Sequence, residues 1–92
     1  MTEAPAHIVA FKPSVEKDLK RLPKAVVRRI TDRVEALALN PLPPACAKLS
    51  GAERQYRIRV GHYRIVYEID SSERVVTIHY IRHRRDVYRL MA

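Results

Sequence analysis

The sequence predicts an α+β fold in which two helices pack on one face of an antiparallel sheet. Apolar and polar residues alternate through three short runs between Gln55 and Arg89, a pattern typical of half-buried strands. Ahead of these runs, apolar residues recur at helical spacing between Val15 and Leu37. The predicted order is therefore an N-terminal strand, a two-helix hairpin and a three-stranded antiparallel meander.

The first strand and the first helix are predicted close to the N-terminus. The strand is His7 to Phe11 (HIVAF), and the Pro13-Ser14 pair ends it. Ser14 is the expected N-cap of the helix, because its hydroxyl can accept a bond from an otherwise unpaired backbone N–H. The helix ends near Pro23, and its apolar face consists of Val15, Leu19 and Leu22.

A second helix is predicted from about Lys24 to Leu39, where Asn40-Pro41 stops it. Its apolar stripe consists of Val27, Ile30, Val34 and Leu37, with Val26 beside it. Residues 42–51 contain two further prolines and are predicted to form a loop.

The turns set the expected registers of the last three strands. Gly61-His62 fits a two-residue hairpin turn, which places Arg59 opposite Arg64. A second turn at Ser71-Ser72 places His79 opposite Arg64. The other predicted pairs are Val60–Tyr63, Ile58–Ile65, Tyr56–Tyr67, Ile65–Ile78 and Tyr67–Val76.

These registers give the sheet two different faces. The apolar face, on which the helices should pack, consists of Ile58, Ile65, Ile78, Tyr56, Tyr67, Val76 and Tyr80. The opposite face consists of Arg57, Arg59, Arg64 and His79. Like charges that lie directly opposite each other destabilise a sheet. A bound anion would relieve that repulsion, which favours a phosphate ligand for this face.

The composition indicates a single domain, residues 1–92, with a strongly cationic surface. Lysine and arginine number 18 against 10 aspartate and glutamate, for a formal charge of +8 and a pI near 10.2. This excess favours nucleic acid or an acidic protein as the partner. No apolar run approaches the roughly 20 residues that span a bilayer, so no membrane is expected. The lone Cys46 and the absence of a secretion signal favour the cytoplasm.

The basic residues suit the cleavage of RNA without a metal ion or cofactor. In that reaction a 2′-hydroxyl attacks the adjacent phosphate, and cations stabilise the charge that gathers on the phosphate oxygens. Arginine suits this role because its planar fork binds phosphate by two bonds and stays protonated. The acid and base must be other groups, for which the candidates are His83, Tyr88 and His79. There is no CxxC pair, no HxxxH on a predicted helix and no glycine-rich phosphate loop.

Four segments together resemble a known family. They are Lys48-Leu49-Ser50-Gly51, Tyr56-Arg57-Ile58-Arg59-Val60, Tyr63-Arg64-Ile65-Val66-Tyr67 and Arg82-His83-Arg84-Arg85-Asp86-Val87-Tyr88-Arg89. With them, the chain resembles the RelE-type toxins of the RelE/ParE toxin–antitoxin superfamily from His7 to Arg89. The combination of the YRIVY block with the HRRDVYR ending is the specific part of this resemblance.

The resemblance implies a toxin that inhibits translation by cleaving mRNA in the ribosomal A site. Such a protein is a metal-independent endoribonuclease (mRNA interferase), which acts by 2′-hydroxyl attack and leaves a 2′,3′-cyclic phosphate or 3′-phosphate and a 5′-hydroxyl. The implied partners are the ribosome and mRNA, together with a cognate acidic, RelB-like antitoxin that blocks the basic surface. Contact with operator DNA would be indirect, through that antitoxin.

The resemblance also implies roles for individual residues. Arg64 matches an arginine that contacts the scissile phosphate, and Arg82 matches a catalytic arginine. Tyr88 matches a tyrosine that stacks on the substrate, and His83 matches a histidine proposed to transfer a proton. Arg57 and Arg59 match two strand positions that are lysines in the best-known members. Because arginine cannot act as a base, that role falls to His83 or Tyr88. The expected RNA-binding residues are Lys48, Arg57, Arg59, His79, Arg84 and Arg85.

In the predicted last strand, Arg82 and His83 are neighbours in sequence and would therefore lie on opposite faces of the sheet. If that strand is regular, His83 shares the face of the other arginines and Arg82 does not. A β-bulge or the end of the strand near Ile81 is therefore predicted, to bring the two side chains together.

Two other functions are considered beside the nuclease. One is a ParE-like inhibitor of DNA gyrase, with the same fold and no nuclease activity. The other is a non-catalytic module that binds RNA or an acidic protein. The cluster of Arg64, Arg82, His83 and Tyr88 favours the nuclease, because neither alternative needs groups that cleave a phosphodiester.

Overall fold

The computed structural model describes residues 6–49, 54–83 and 85, and within them it has five strands and two helices. In chain order the elements are β1 (Ile8–Phe11), α1 (Pro13–Arg21), α2 (Lys24–Leu39), β2 (Ala47–Lys48), β3 (Gln55–Val60), β4 (Tyr63–Asp70) and β5 (Val75–His83). The predicted α+β class, helix hairpin and antiparallel meander are confirmed. Neither helix is long and apolar enough to cross a membrane.

The strands form one sheet in the order β1-β5-β4-β3-β2. β3, β4 and β5 pair antiparallel, as predicted. β1 instead lies parallel to β5, so the sheet is mixed; parallel neighbours need a long crossover, which the intervening elements supply. β2 pairs antiparallel with β3 inside the segment predicted as a loop. A two-residue strand is too short for alternation to reveal.

The helices begin and end where proline and asparagine place them. α1 starts at Pro13, whose fixed φ suits the first helical position and whose missing N–H costs no bond there. Lys12 is therefore the N-cap, and the prediction that Ser14 caps the helix is wrong. α2 has the predicted bounds, and the backbone N–H of Asn40 donates to the carbonyl of Ala36 at 3.0 Å.

The helices cover one face of the sheet and enclose an apolar core. Their buried contributions are Val15, Ile30, Val34 and Leu37. The strand residues in the same core are Ile58, Val60, Ile65, Tyr67, Ile69, Val76, Ile78 and Ile81. Tyr67 is fully buried, and its hydroxyl donates to the carbonyl of Pro41 at 2.7 Å. Burial raises the pKa of Tyr67 well above its ordinary value, because the phenolate would be poorly solvated there.

The two turns of the meander differ in length. Gly61-His62 forms the predicted two-residue turn, in which Gly61 has a φ of 60° that suits glycine. The β4–β5 connection takes four residues, 71–74, where a two-residue turn at Ser71-Ser72 was predicted. Asp70 closes this connection by accepting backbone bonds from Ser72 and Glu73, both at 3.1 Å. The bond from Glu73, followed by the Ser72 hydroxyl, holds the pKa of Asp70 below its ordinary value.

Candidate nucleic-acid interface

The face of the sheet turned away from the helices carries the predicted arginines. In the β3–β4 register, Arg59 lies directly opposite Arg64, as predicted, and Arg57 lies opposite Val66. Arg59 is exposed, whereas Arg64 is only 9% exposed. An arginine that is nine-tenths buried is not an ordinary solvated surface residue, since burial of a charge is costly without compensating contacts.

The β4–β5 register differs from the prediction in two steps. The four-residue connection moves the pairing by two positions, so that Tyr67 lies opposite Ile78 and not Val76. A β-bulge then adds one more position between Val66 and Tyr67, which turns the following β5 side chains to the other face. The predicted pairs Ile65–Ile78, Tyr67–Val76 and Arg64–His79 are therefore wrong. Tyr80, predicted on the apolar face, lies opposite Val66 on the arginine face.

The bulge assembles three arginines on adjacent strands. Arg64 lies directly opposite Arg82 on one side and Arg59 on the other. We call these three residues the arginine row. Backbones of directly opposed residues are about 4.5–5.5 Å apart, so the row concentrates positive charge across the width of three strands. An anion that bridges the guanidinium groups would reduce their mutual repulsion.

The guanidinium of Arg82 is held by neighbouring groups. Its Nη1 forms an ion pair with Oδ2 of Asp18 in α1 and donates to the carbonyl of Ile81 at 3.0 Å. Its Cζ also lies 5.6 Å from the centre of the Tyr80 ring, within the range of a cation–π contact. Arg82 is therefore tied both to its own strand and to the first helix.

His83 lies on the helix side of the sheet end and not in the arginine row. It pairs with Tyr63, and the two rings meet edge to face with centres 5.2 Å apart. Its ring also stacks on His62 at 6.0 Å between centres. Nδ1 of His83 accepts the backbone N–H of Arg85 at 3.2 Å, so in the neutral ring the proton lies on Nε2.

The predicted bulge exists, but its position and effect differ from the expectation. It lies at His79 and Tyr80, just before Ile81, and β5 continues to His83. It exchanges the faces of Arg82 and His83 and does not put both on one face. The two side chains nevertheless line one hollow of about 440 Å³ at the edge of the sheet. The hollow is lined by Asp18, Arg21, Leu22, Tyr63, Ile81, Arg82 and His83.

The other predicted RNA-binding residues are more dispersed. His79 lies in the bulge, where its Nε2 is 3.4 Å from Oε1 of Glu68, and not opposite Arg64. Lys48 is exposed but pairs with Tyr56, which places it on the other face from Arg57. Arg85 is exposed next to His83. Two further predicted residues, Arg84 and Tyr88, lie outside the described residues.

Three residues near this end of the sheet were not among the predicted site residues. Asp18 reaches Arg82 from a different element, and no local pattern could have linked them. His62 occupies the predicted turn, and its position next to Gly61 is the only sequence signal for its place beside His83. Arg29 of α2 lies over the same turn: a methyl group on Gly61 would be 3.6 Å from its Nη2.

The sequence and the fold identify the family. Residues 9–88 match the family model described as the ParE toxin of the type II toxin–antitoxin system parDE. The chain is 33% identical over 84 residues to Toxin RelE3 of Methanocaldococcus jannaschii, a match that covers 87% of this chain and 93% of that protein. The chain belongs to the RelE/ParE family of type II toxin–antitoxin toxins, as a RelE-type member.

Further similarities agree with this assignment. Toxin RelG of Mycobacterium tuberculosis is 30% identical over 87 residues, which cover 90% of this chain and 97% of that protein. The crystal structure of the RelE–RelB complex from Pyrococcus horikoshii contains a chain that superposes with a TM-score of 0.78 at 31% identity. That match covers 86% of this chain and 96% of the Pyrococcus chain. The predicted RelE-like fold is thus confirmed.

Proposed function

We propose that this toxin is a ribosome-dependent endoribonuclease that cleaves mRNA in the A site by attack of a 2′-hydroxyl on the adjacent phosphate. The observation that carries the proposal is the arginine row, in which Arg64 lies directly opposite both Arg59 and Arg82. Three guanidinium groups on neighbouring strands suit a phosphate whose negative charge increases in the transition state.

The row supplies charge, and nearby side chains supply proton transfer. Arg64 and Arg82 bind the scissile phosphate, while exposed Arg59 and half-buried Arg57 hold the adjoining backbone. His83 is a candidate acid or base because it shares a hollow with Arg82 and carries an imidazole, the side chain that most often transfers protons in enzymes. Tyr88 is the other candidate, and it orients the substrate by stacking. The reaction needs no metal ion, since side chains provide each of these functions.

The proposed partners follow from charge and from relatives. The formal charge of +8 suits the ribosome and mRNA, and it suits an acidic antitoxin equally well. The similar chain from Pyrococcus horikoshii was crystallised with RelB. A RelB-like antitoxin is accordingly proposed to cover this basic surface, and contact with operator DNA is proposed to run through it. His79, Lys48, Arg84 and Arg85 are proposed as outer RNA contacts, and of these Lys48 and Arg85 are exposed.

The decisive experiment maps mRNA ends on translating ribosomes. Purified toxin is added to ribosomes stalled with a defined A-site codon, and new 5′ ends are mapped and tested for a 5′-hydroxyl. We expect cuts within the A-site codon that require the ribosome. The matched control is Arg33→Ala, which removes one exposed arginine from α2, far from the row in sequence, and should leave cleavage intact. Absence of ribosome-dependent cuts by the wild-type toxin would contradict the proposal.

A second candidate function is inhibition of DNA gyrase without nuclease activity. It is favoured by one observation, the match of residues 9–88 to a family model described as a ParE toxin. A supercoiling assay with purified gyrase, run in parallel with the ribosome assay, separates the two. Gyrase arrest without RNA cuts would favour this candidate, whereas neither effect would favour a non-catalytic binding module.

A further inference from the structure

The first helix packs along the last part of β5, on a side where none of the described strands pairs with it. β1 pairs only with Val75–Ile78, and the backbone N–H of Lys12 donates to Ile78 at 3.2 Å as the chain leaves the sheet. The chain then enters α1, which packs along β5. This path brings Asp18 into the hollow beside Arg82 and His83. An acidic side chain therefore lies among the basic side chains Arg21, Arg82 and His83 that line this hollow.

The contact with Asp18 uses one end of the Arg82 fork. Nη1 of Arg82 carries two protons, and these go to Asp18 and to the carbonyl of Ile81. Within the described part of the chain, Arg82 makes no hydrogen bond through Nε or Nη2. These two nitrogens form the other edge of the planar fork, which is an edge that binds two phosphate oxygens. The ion pair thus fixes the fork, and no described residue donates to or accepts from its phosphate-binding edge.

We infer that Asp18 is a positioning residue that holds the guanidinium of Arg82 in the orientation that binds the reacting phosphate, an inference that rests on the proposed nuclease function. Arginine has several rotatable bonds, and an arginine without this tether samples many orientations that miss the phosphate. Both partners are largely shielded from water, with side chains 21% and 32% exposed for Asp18 and Arg82. Such a pair is better able to fix a side chain than a fully exposed ion pair.

Orientation and simple electrostatics predict opposite effects when the carboxylate is removed. Asp18→Asn raises the formal charge by one, from +8 to +9, which by itself strengthens binding to RNA. If Asp18 orients Arg82, the same change slows the chemical step. We therefore expect kcat to fall roughly 10- to 100-fold, while KM for programmed ribosomes is unchanged or lower.

The kinetic test compares five variants on programmed ribosomes. Asp18→Asn should lower kcat, and Asp18→Glu, which keeps the charge on a longer side chain, should restore part of it. Glu16→Gln is the matched control, because Glu16 is exposed on the same helix and its loss changes the charge equally. In an Arg82→Ala background, Asp18→Asn should have no further effect on kcat. An unchanged kcat in Asp18→Asn, or an equal loss in Glu16→Gln, would overturn the inference.

A second measurement does not depend on catalysis. Nitrogen-15 NMR of the Arg82 guanidinium reports how fast it rotates, and we expect slow rotation in the wild type and fast rotation in Asp18→Asn. Melting temperatures of all variants verify that they are folded. Fast rotation in the folded wild type would overturn the inference even if the toxin cleaves RNA. Slow rotation without any cleavage by the wild type would instead reject the proposed nuclease function. The Asp18–Arg82 ion pair would then still hold the guanidinium, but it would have no catalytic consequence.

Discussion

The two faces of the central meander are built from the same three strands, but one face buries apolar side chains and the other carries neighbouring arginines. On the helix side, Ile58, Ile65 and Ile78 are each at most 1% exposed and pack against α1 and α2. On the opposite side, Arg59, Arg64 and Arg82 lie next to one another with like charges. One face stabilises the fold by apolar burial, whereas the other places like charges side by side.

This difference shows how a small toxin can separate stability from function. Burial of apolar side chains contributes roughly 1.5–3 kcal/mol each, so the helix-facing residues stabilise the sheet strongly. Directly opposed like charges destabilise a sheet by an amount on the order of 0.2–1 kcal/mol per pair. The core can tolerate that repulsion, and an anion bound as proposed would relieve it. Substitutions on the two faces should therefore have opposite consequences.

The largest effect is expected in the core. Ile65→Ala removes a fully buried side chain beside Arg64, and the cavity should lower the free energy of unfolding by about 2–5 kcal/mol. Urea denaturation followed by circular dichroism measures this change. The folded fraction should keep its ribosome affinity. A loss below about 1 kcal/mol would mean that the helix-facing side does not carry the stability assigned to it.

The next effect is expected at the arginine row and concerns catalysis. Arg64→Ala should reduce single-turnover cleavage of A-site mRNA by about 10²–10³-fold, since a donor to the transition-state charge is lost. Arg64→Lys keeps the charge without the fork and should recover only part of the rate. Arg33→Ala serves again as the control. Equal rates for Arg64→Ala and Arg33→Ala would show that the arginine face is merely a solvated surface.

A third prediction concerns the pH dependence of the core. Because burial raises the pKa of Tyr67 above its unfolded value near 10, its contribution is complete below pH 10. Above about pH 10 the unfolded chain loses this proton first, so stability should fall by up to about 1.4 kcal/mol per pH unit. Urea titrations from pH 8 to 11 measure the slope. Tyr67→Phe should remove this part of the decline, and an unchanged slope in that variant would contradict the assignment.

The smallest effect distinguishes the arginine face from the core most directly. Arg59→Gln removes an exposed charge opposite Arg64 and should increase the free energy of unfolding by a few tenths of a kcal/mol at low salt. The gain should disappear at high ionic strength, because salt screens the repulsion. The same change should also make ribosome binding less sensitive to salt. The slope of log affinity against log salt concentration should fall by the amount expected for about one phosphate contact. A loss of stability at low salt would mean that Arg59 contributes attractive contacts to the sheet.

Much of the fold could be predicted because its signals are local. Helical spacing predicted α2 at its observed bounds, and alternation with the Gly61-His62 turn predicted the β3–β4 register. Pairing in that hairpin depends only on a tight turn and on adjacent residues. The same local reasoning failed at the β4–β5 connection, where Asp70 accepts three bonds and stabilises a four-residue turn. It also missed β2, which is two residues long.

The sequence alone determined the two-faced strands, the excess of positive charge and the family, since these follow from residue types and short-range spacing. Only the tertiary structure decided that Arg82 joins Arg59 and Arg64 in the row. A single added residue in β5 exchanges the faces of Arg82 and His83, and nothing local specifies where it is inserted. The pairing of Arg82 with Asp18 was likewise decided by the packing of α1 along the last part of β5. The physical reason is that register and docking depend on contacts between residues far apart in the chain, which a periodic pattern does not encode.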